Sequence, residues 1–402
     1  MKFIHAADIH LDSPLAGLRA RDDLPDDIVR HSTRRAFSRM IDLARDEDVA
    51  FVVLAGDLYD GDWKDFSTGL FFAAEMRRLA CPCFLLRGNH DAQSVITRGL
   101  KLPDNVHEFS SRTCQTFQRP DLGVALHGHS FPNRAVPEDL SAGYAAPVEG
   151  MLNIGVLHTS CEEPEGDHKR YAPCSPAALS LKGYDYWALG HIHMRQVLSE
   201  RPWIVFPGNL QGRHPKETGA KGCSLVTVED RQIVAVEHRS VDVLRWAALA
   251  ADATGLDEPG LIAAIGDSVR AAIAEADDRP VLARLTVTGA TGLLADTDRL
   301  VAECRNAAIE AGGQLWIESV KIRTQPVASA DAGTLTELRD AFFAGLDDPE
   351  LTAKLRAELA SVRQKVPAKA KLELPDDADG MRQLAEDAWQ LAAAAIAKTA
   401  VR

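Results

Sequence analysis

Residues 51–60 read Phe-Val-Val-Leu-Ala-Gly-Asp-Leu-Tyr-Asp. A short run of aromatic and β-branched residues is the signature of a strand buried on both faces. Glycine breaks the run and a carboxylate, Asp57, follows at once. Gly56 lets the backbone turn sharply, and a carboxylate with two oxygens can bridge two cations. Residues 2–12, Lys-Phe-Ile-His-Ala-Ala-Asp-Ile-His-Leu-Asp, repeat the plan: an apolar strand over 2–7, then Asp8 and His10. In an extended segment residues i and i+2 point to one side, so these two side chains are expected to reach one cation.

Five short motifs carry the chemistry, four of them after a predicted strand. They are A-D-I-H (Asp8, His10), A-G-D-L-Y-D (Asp57), R-G-N-H-D (Asn89, His90), V-L-H-T-S (His158) and A-L-G-H-I-H (His191, His193). Glycine precedes three of them. Each motif alone has an ordinary structural reading as a turn or a capped strand end. Together, in this order, they point to a metal centre. The ligands are nitrogen and oxygen without thiolate, which favours Mn²⁺, Fe²⁺ or Mg²⁺.

The rest of the chain bounds this reading. Its 402 residues are enough for two or three domains, and 46% are hydrophobic. No apolar run approaches membrane-spanning length. No apolar leader precedes the first charges, so a cytoplasmic protein is expected. The seven cysteines, an odd number, argue against a disulfide framework. All 13 histidines lie at or before His238, which places the chemistry in the first 240 residues. The net charge is −13. Acidic residues outnumber basic ones 26 to 18 over 241–402 and 32 to 27 over 1–240, so non-specific nucleic-acid binding by charge alone is disfavoured.

Helices are expected over 28–45 and 66–79. Strands are expected over 51–55, 84–86, 124–126, 154–157, 187–189, 204–206, 225–228 and 233–236. Residues 241–325 read strand, helix, strand, helix, strand, a small α/β unit. A linker is expected over 325–332, then three helices in 333–402.

The order D-x-H, G-D-x-x-D, G-N-H-D, H, G-H-x-H resembles the calcineurin-like metallophosphoesterase superfamily over residues 1–240. The resemblance implies a four-layer α/β/β/α sandwich in which two mixed sheets face each other. It implies two divalent metal ions, Mn²⁺ before Mg²⁺ or Fe²⁺, bridged by Asp57. Asp8, His10 and His193 match ligands of the first metal; Asn89, His158 and His191 match those of the second. His90 matches the residue that contacts the scissile phosphate and assists the leaving group. Asp91 is expected to orient His90 or hold the turn. Asp60 stands where some relatives carry histidine and is read as a turn cap or a support to the site. His127 and His129 match no ligand of relatives, and His5 is expected buried in the first strand.

The opening F-I-H-A-A-D-I-H-L-D resembles the DNA-repair exonuclease branch, the SbcD-like proteins and especially their YhaO-like relatives. That branch implies a Mn²⁺-dependent DNA exo/endonuclease domain over 1–240 and an α/β capping domain over 241–325. It also implies a helical segment over 333–402 that docks on an SMC-like coiled-coil ATPase of the SbcC or YhaN type; a homodimer is compatible with that plan. The loop P-G-N-L-Q-G-R-H-P-K-E-T-G-A-K-G-C, residues 207–223, offers Arg213, His214, Lys216 and Lys221 to DNA. The helix carrying Arg30, His31, Arg34, Arg35 and Arg39 is either a phosphate-contacting face or a solvated one. The acidic charge supports the competing expectation, a small-molecule phosphodiesterase or phosphatase.

Overall fold

The computed structural model describes residues 1–13, 15, 29–60, 65–93, 101–161, 171–291, 297–325, 332–345, 348–365 and 378–400. The start of the first expected helix and most of the expected linker at 325–332 lie outside them.

The first half builds two six-stranded mixed sheets. One contains β1 (Lys2–Ala6), β2 (Phe51–Ala55), β3 (Cys83–Leu86), β4 (Val106–Glu108), β11 (Gly222–Glu229) and β12 (Gln232–Ser240), in the order β12-β11-β1-β2-β3-β4. The other contains β5 (Gln115–Arg119), β6 (Val124–Gly128), β7 (Leu152–His158), β8 (Tyr186–Gly190), β9 (Gln196–Glu200) and β10 (Trp203–Phe206), in the order β5-β6-β7-β8-β10-β9. β1, β2 and β3 run parallel, as do β6, β7 and β8. Their C-terminal ends therefore share an edge, and every candidate ligand follows one of them or closes it.

Alternation sorts the core. Phe3, Phe51, Val53 and Phe84 join Leu126, Ile154, Val156, Tyr186 and Ala188 in one buried cluster shared by the two sheets. Ile4, Ala6, Val52, Leu54 and Leu85 face the other way, onto α1 (Ser32–Asp46) and α2 (Phe66–Arg78) through Phe37, Met40, Ile41, Phe72 and Met76. Asp65 caps α2 by accepting from Ser67 N. On the far face of the second sheet, Trp187, Leu189, Ile204 and Phe206 pack with Leu179 of α3 (Pro176–Ser180) and with Tyr144. The expected four layers are present, the last being one short helix and loops among the described residues. β4, β5 and β9, absent from the sequence-based expectation, are all edge strands. β5, Gln-Thr-Phe-Gln-Arg, is short and half-polar and leaves no apolar run to read, unlike the longer edge strand β12, which was expected.

A three-stranded sheet follows, β13 (Arg245–Asp252), β14 (Val281–Ala290) and β15 (Leu315–Gln325), with α4 (Glu258–Glu275) and α5 (Thr297–Glu310) between its strands. Three helices end the chain, α6 (Ala332–Ala344), α7 (Pro349–Lys365) and α8 (Ala378–Ala400). Phe342 of α6 packs on Trp389 of α8 with ring centroids 5.6 Å apart. By internal contacts the chain divides into two units, residues 1–248 with 273–283, and residues 249–272 with 284–402. Among the described residues no helix is long and apolar enough to cross a membrane.

His5 is buried in β1 as expected, between Tyr186 Oη (3.0 Å) and the Leu189 carbonyl (3.1 Å). Burial pushes its imidazole down to about 3 from the usual 6.5, against the Leu189 hydrogen bond. The unfolded chain binds a proton that the folded chain refuses. The stability is therefore complete above pH 6.5 and is lost as pH falls toward 3. Urea unfolding at pH 7 and pH 5 should differ by about 2 kcal/mol more in the parent than in His5→Gln. Equal differences would rule out this titration.

Candidate metal centre

Asp57 closes β2 and anchors the site. Its Oδ1 accepts from the His90 backbone N–H at 2.9 Å. Its Oδ2 lies 3.4 Å from His158 Nε2 and 3.8 Å from His10 Nε2, between the two imidazoles. Burial opposes ionisation of Asp57, but the charge and hydrogen bond of His158, with His10 and His90, hold the carboxyl well below its ordinary range. The same partnership outweighs desolvation at His158 and raises it to about 9.

The structure brings the seven sequence-predicted ligands to one place, in two triads with Asn89 beside the second. Asp8, His10 and His193 form one triad and Asp57, His158 and His191 another, and His10, Asp60 and His90 make a third grouping beside them; within each, the potential ligand atoms lie within 4.8 Å of one another. Asn89 Oδ1 is 2.9 Å from His158 Nε2. His158 Nδ1 donates to the Ala55 carbonyl at 3.0 Å, which turns Nε2 to the centre, where a bound cation would take the place of its proton. Asp8 accepts from His191 N at 3.0 and 3.1 Å and lies 4.0 Å from His193 Nε2.

The donor set fits a pair of divalent cations. His10 is fully buried, yet neither ring nitrogen has a hydrogen-bond partner. Such an orphan is costly in a dry interior unless something binds it. Burial, with Arg213 second, pushes its pKa well below the ordinary range, so the ring presents lone pairs. Burial also lowers His191 to about 3, helped by His158. Neutral imidazoles and carboxylates are the forms that ligate.

The local backbone departs from the extended expectation. Asp8 (φ 51°), His10 (φ 46°), Asp57 (φ 54°) and His191 (φ 105°) all have positive φ. Asp8 and His10 are thus aimed by a left-handed twist, while Asp8 N and His10 N still bond to the Gly56 and Asp57 carbonyls at 3.0 Å. Strained non-glycine residues cluster at functional sites. Glycine is needed beside them for space. A Cβ at Gly190 would stand 1.9 Å from the Ala55 carbonyl oxygen, and one at Gly56 would stand 2.4 Å from His158 Nδ1.

Each supporting carboxylate takes one of the two roles that the sequence left open for it. Asp60 lies 2.9 Å from His90 Nδ1, and this hydrogen bond raises the His90 pKa. Asp91 instead accepts from Leu58 N, Tyr59 N and Gly88 N at 2.9–3.1 Å, tying the second motif to the third. Burial and the Asp57 charge raise it to about 6. His127 bonds to Thr116 and Asn153 and stacks on Tyr184, a structural role.

The basic candidates divide: Arg30, His31, Arg35, Arg39 and Lys216 are exposed, whereas Arg34, Arg213 and His214 are half-buried and Lys221 is buried. Lys221 is 7% exposed and donates to the His193 carbonyl at 3.3 Å, so it does not offer a solvent-facing charge to DNA. Arg34 pairs with Asp12, and Arg39 donates to the Asp242 carbonyl. Of the loop residues, Lys216 is exposed and His214 half-buried. Arg213 turns toward Ser13 and Asp60. Glu217 and Ser13 were not among the expected residues. Glu217 Oε1 lies 2.6 Å from His193 Nδ1, so the 207–223 loop carries its own acid against its cations. The only signal for it was a lone glutamate among those cations.

Asp57→Asn should lose both metals, because a neutral amide cannot share a negative charge between two cations. Elemental analysis of the purified variant checks this; metal content equal to the parent would exclude the shared carboxylate.

Residues 1–195 match the calcineurin-like phosphoesterase family, and residues 246–325 match the middle domain of metallophosphoesterase YhaO. The chain is 39% identical over 264 residues to the uncharacterized metallophosphoesterase YhaO of Bacillus subtilis, covering 63% of this chain and 64% of that protein. It is 25% identical over 217 residues to the DNA double-strand break repair protein Mre11 of Methanopyrus kandleri, covering 48% and 45%. It is 24% identical over 210 residues to the protein of the same name in Saccharolobus solfataricus, covering 50% and 51%. The chain thus spans less than two thirds of the length of each of these relatives. The strands that end in the two triads fall within the family match, and residues 1–195 belong to the calcineurin-like metallophosphoesterase family.

Proposed function

We propose that this metallophosphoesterase is a Mn²⁺-dependent DNA exo/endonuclease that cleaves phosphodiester bonds in DNA repair. The observation that carries the hydrolytic part is the pair of triads that hold the expected ligands, with His90 held beside them by Asp60. Bound there, two divalent cations would supply the Lewis acidity that activates a water and withdraws charge from the phosphoryl oxygens. Asp8, His10 and His193 would hold one, and Asn89, His158 and His191 the other, with Asp57 shared. His90, oriented through Nδ1 by Asp60, is the group suited to hand a proton or hydrogen bond to the departing oxygen. Two relatives named for DNA double-strand break repair support DNA as the substrate. The burial of Lys221 and the pairing of Arg34 with Asp12 support a second reading, a small phosphoester substrate that needs no extended basic surface.

Hydrolysis with Mn²⁺ should be faster on linear duplex DNA than on cyclic nucleotides or nitrophenyl esters. His90→Ala should keep both metals and lose about 10²–10⁴-fold in single-turnover rate. The reverse substrate preference would favour the small-ester reading, and loss of metal from His90→Ala would make His90 a ligand.

The division of labour along the chain, 241–325 as a cap and 333–402 as a docking segment for a coiled-coil ATPase, belongs to the same proposal. Its support is the exposed apolar side chains of the last helices, Leu338, Phe342, Leu351, Leu355 and Ile396, each 37–51% accessible. Truncation after Gln325 should spare Mn²⁺-dependent cutting of a short oligonucleotide and abolish co-purification with such an ATPase. Full-yield co-purification of the truncated protein would refute the docking role.

A further inference from the structure

The 207–223 loop is built around Glu217. Besides His193 Nδ1, its carboxylate accepts from Arg213 N at 2.7 Å and from Asn209 Nδ2 at 3.0 Å. The Gly212 carbonyl accepts from Trp246 Nε1 at 3.1 Å. A Cβ at Gly212 would stand 2.8 Å from the Glu217 carbonyl oxygen, so the turn is tight as well as bonded. Burial opposes charge on Glu217, but His193 and Arg213 hold it ionised, at about 2.

From this fixed backbone Arg213 reaches back to the metal centre. Its Nη1 donates to Ser13 Oγ at 2.6 Å and lies 3.6 Å from Asp60 Oδ2. Ser13 Oγ in turn donates to Asp60 Oδ2 at 2.8 Å, and the other Asp60 oxygen holds His90. Arg213 Nε is buried and has no hydrogen-bond partner. The side chain is only 16% exposed, and its charge is felt at both His10 and His90. A guanidinium offers five donors in a planar fork that matches phosphate oxygens. Here the fork is held rigidly beside the triads, with a buried donor unused, rather than placed on an outward face.

We propose that Arg213 binds a non-bridging oxygen of the phosphoryl group at this centre, and that Glu217 is the positioning residue that sets Arg213 and His193 together. This rests on the phosphoesterase reading above and makes Arg213 a part of the reacting site rather than a contact to distant DNA phosphates. One carboxylate fixes the His193 tautomer and the backbone from which Arg213 extends. Loss of Glu217 therefore disturbs metal and phosphate binding together, whereas loss of Arg213 disturbs phosphate alone.

Inorganic phosphate is the probe, titrated calorimetrically into the full-length, Mn²⁺-loaded protein, with Mn²⁺ affinity measured separately. Arg213→Ala should weaken phosphate about 10–100-fold at unchanged Mn²⁺ affinity, as expected for a lost charge-assisted hydrogen bond. Arg213→Lys should recover part of that loss, since it keeps the charge without the fork. Glu217→Ala should weaken Mn²⁺ about 10–100-fold along with phosphate. Glu217→Gln, which keeps an acceptor oxygen, should fall between. Circular dichroism and thermal melts verify folding, and Arg213→Lys carries the test if Arg213→Ala unfolds. Unchanged phosphate affinity in the arginine variants, or parallel loss of Mn²⁺, would overturn the assignment. A parent that binds phosphate through Arg213 but cleaves no diester would refute the nuclease reading and leave the assignment standing. A parent that binds no phosphate would overturn both.

Discussion

Everything in the site leans on one carboxylate between imidazoles. Asp57 Oδ2 faces His158 and His10, while Oδ1 accepts the backbone N–H of His90. In a fully buried position such charges are tolerated only when paired. The pairing dictates the architecture. β2 lies between β1 and β3 in one sheet, and their parallel ends deliver Asp8, His10 and Asn89 around Asp57. The facing sheet delivers His158 and His191 from the ends of β7 and β8. The bond from His158 Nδ1 to the Ala55 carbonyl joins the two sheets at that edge.

Such convergence has a conformational cost. Positive φ at Asp8, His10, Asp57 and His191 costs of order 1 kcal/mol or more at each residue. The apolar cluster shared by the sheets, with Phe3, Phe51, Phe84, Ile154, Val156 and Tyr186 buried, offsets it and prevents relaxation. Asp91 does the same locally by gathering three backbone N–H groups from two turns. Rigidity and strain thus occur together, as a preorganised site requires.

Part of the positive charge of this −13 chain is paired inside the fold, while Arg30, Arg35, Arg39 and Lys216 stay exposed. Arg34, Arg39 and Lys221 are committed to intramolecular acceptors, and Arg213 is directed to the metal centre. Local attraction at the reacting centre, in a low-dielectric setting, does more than the same charges would in water.

The strand ends of the site were legible in the amino-acid order because a buried strand, a glycine and a ligand occur within a few residues of one another. Gly56-Asp57, Gly88-Asn89 and Gly190-His191 state both the turn and the donor locally. The central strands and the main helices were readable for the same reason, since hydrophobic periodicity is a local property. Edge strands β4, β5 and β9 were not, because pairing on one side demands no apolar run. Nor could local order reveal that Asp60 rather than Asp91 holds His90 Nδ1, that Lys221 is buried, or that Glu217 grips His193. Those outcomes join residues 24 to 30 positions apart, and only the pairing of strands and the closing of one sheet on the other decide which of them meet. The sequence by itself determined the ligand types, their order and the strands that carry them. The tertiary structure decided which charges neutralise one another, because a buried charge selects its partner by distance in space and not along the chain.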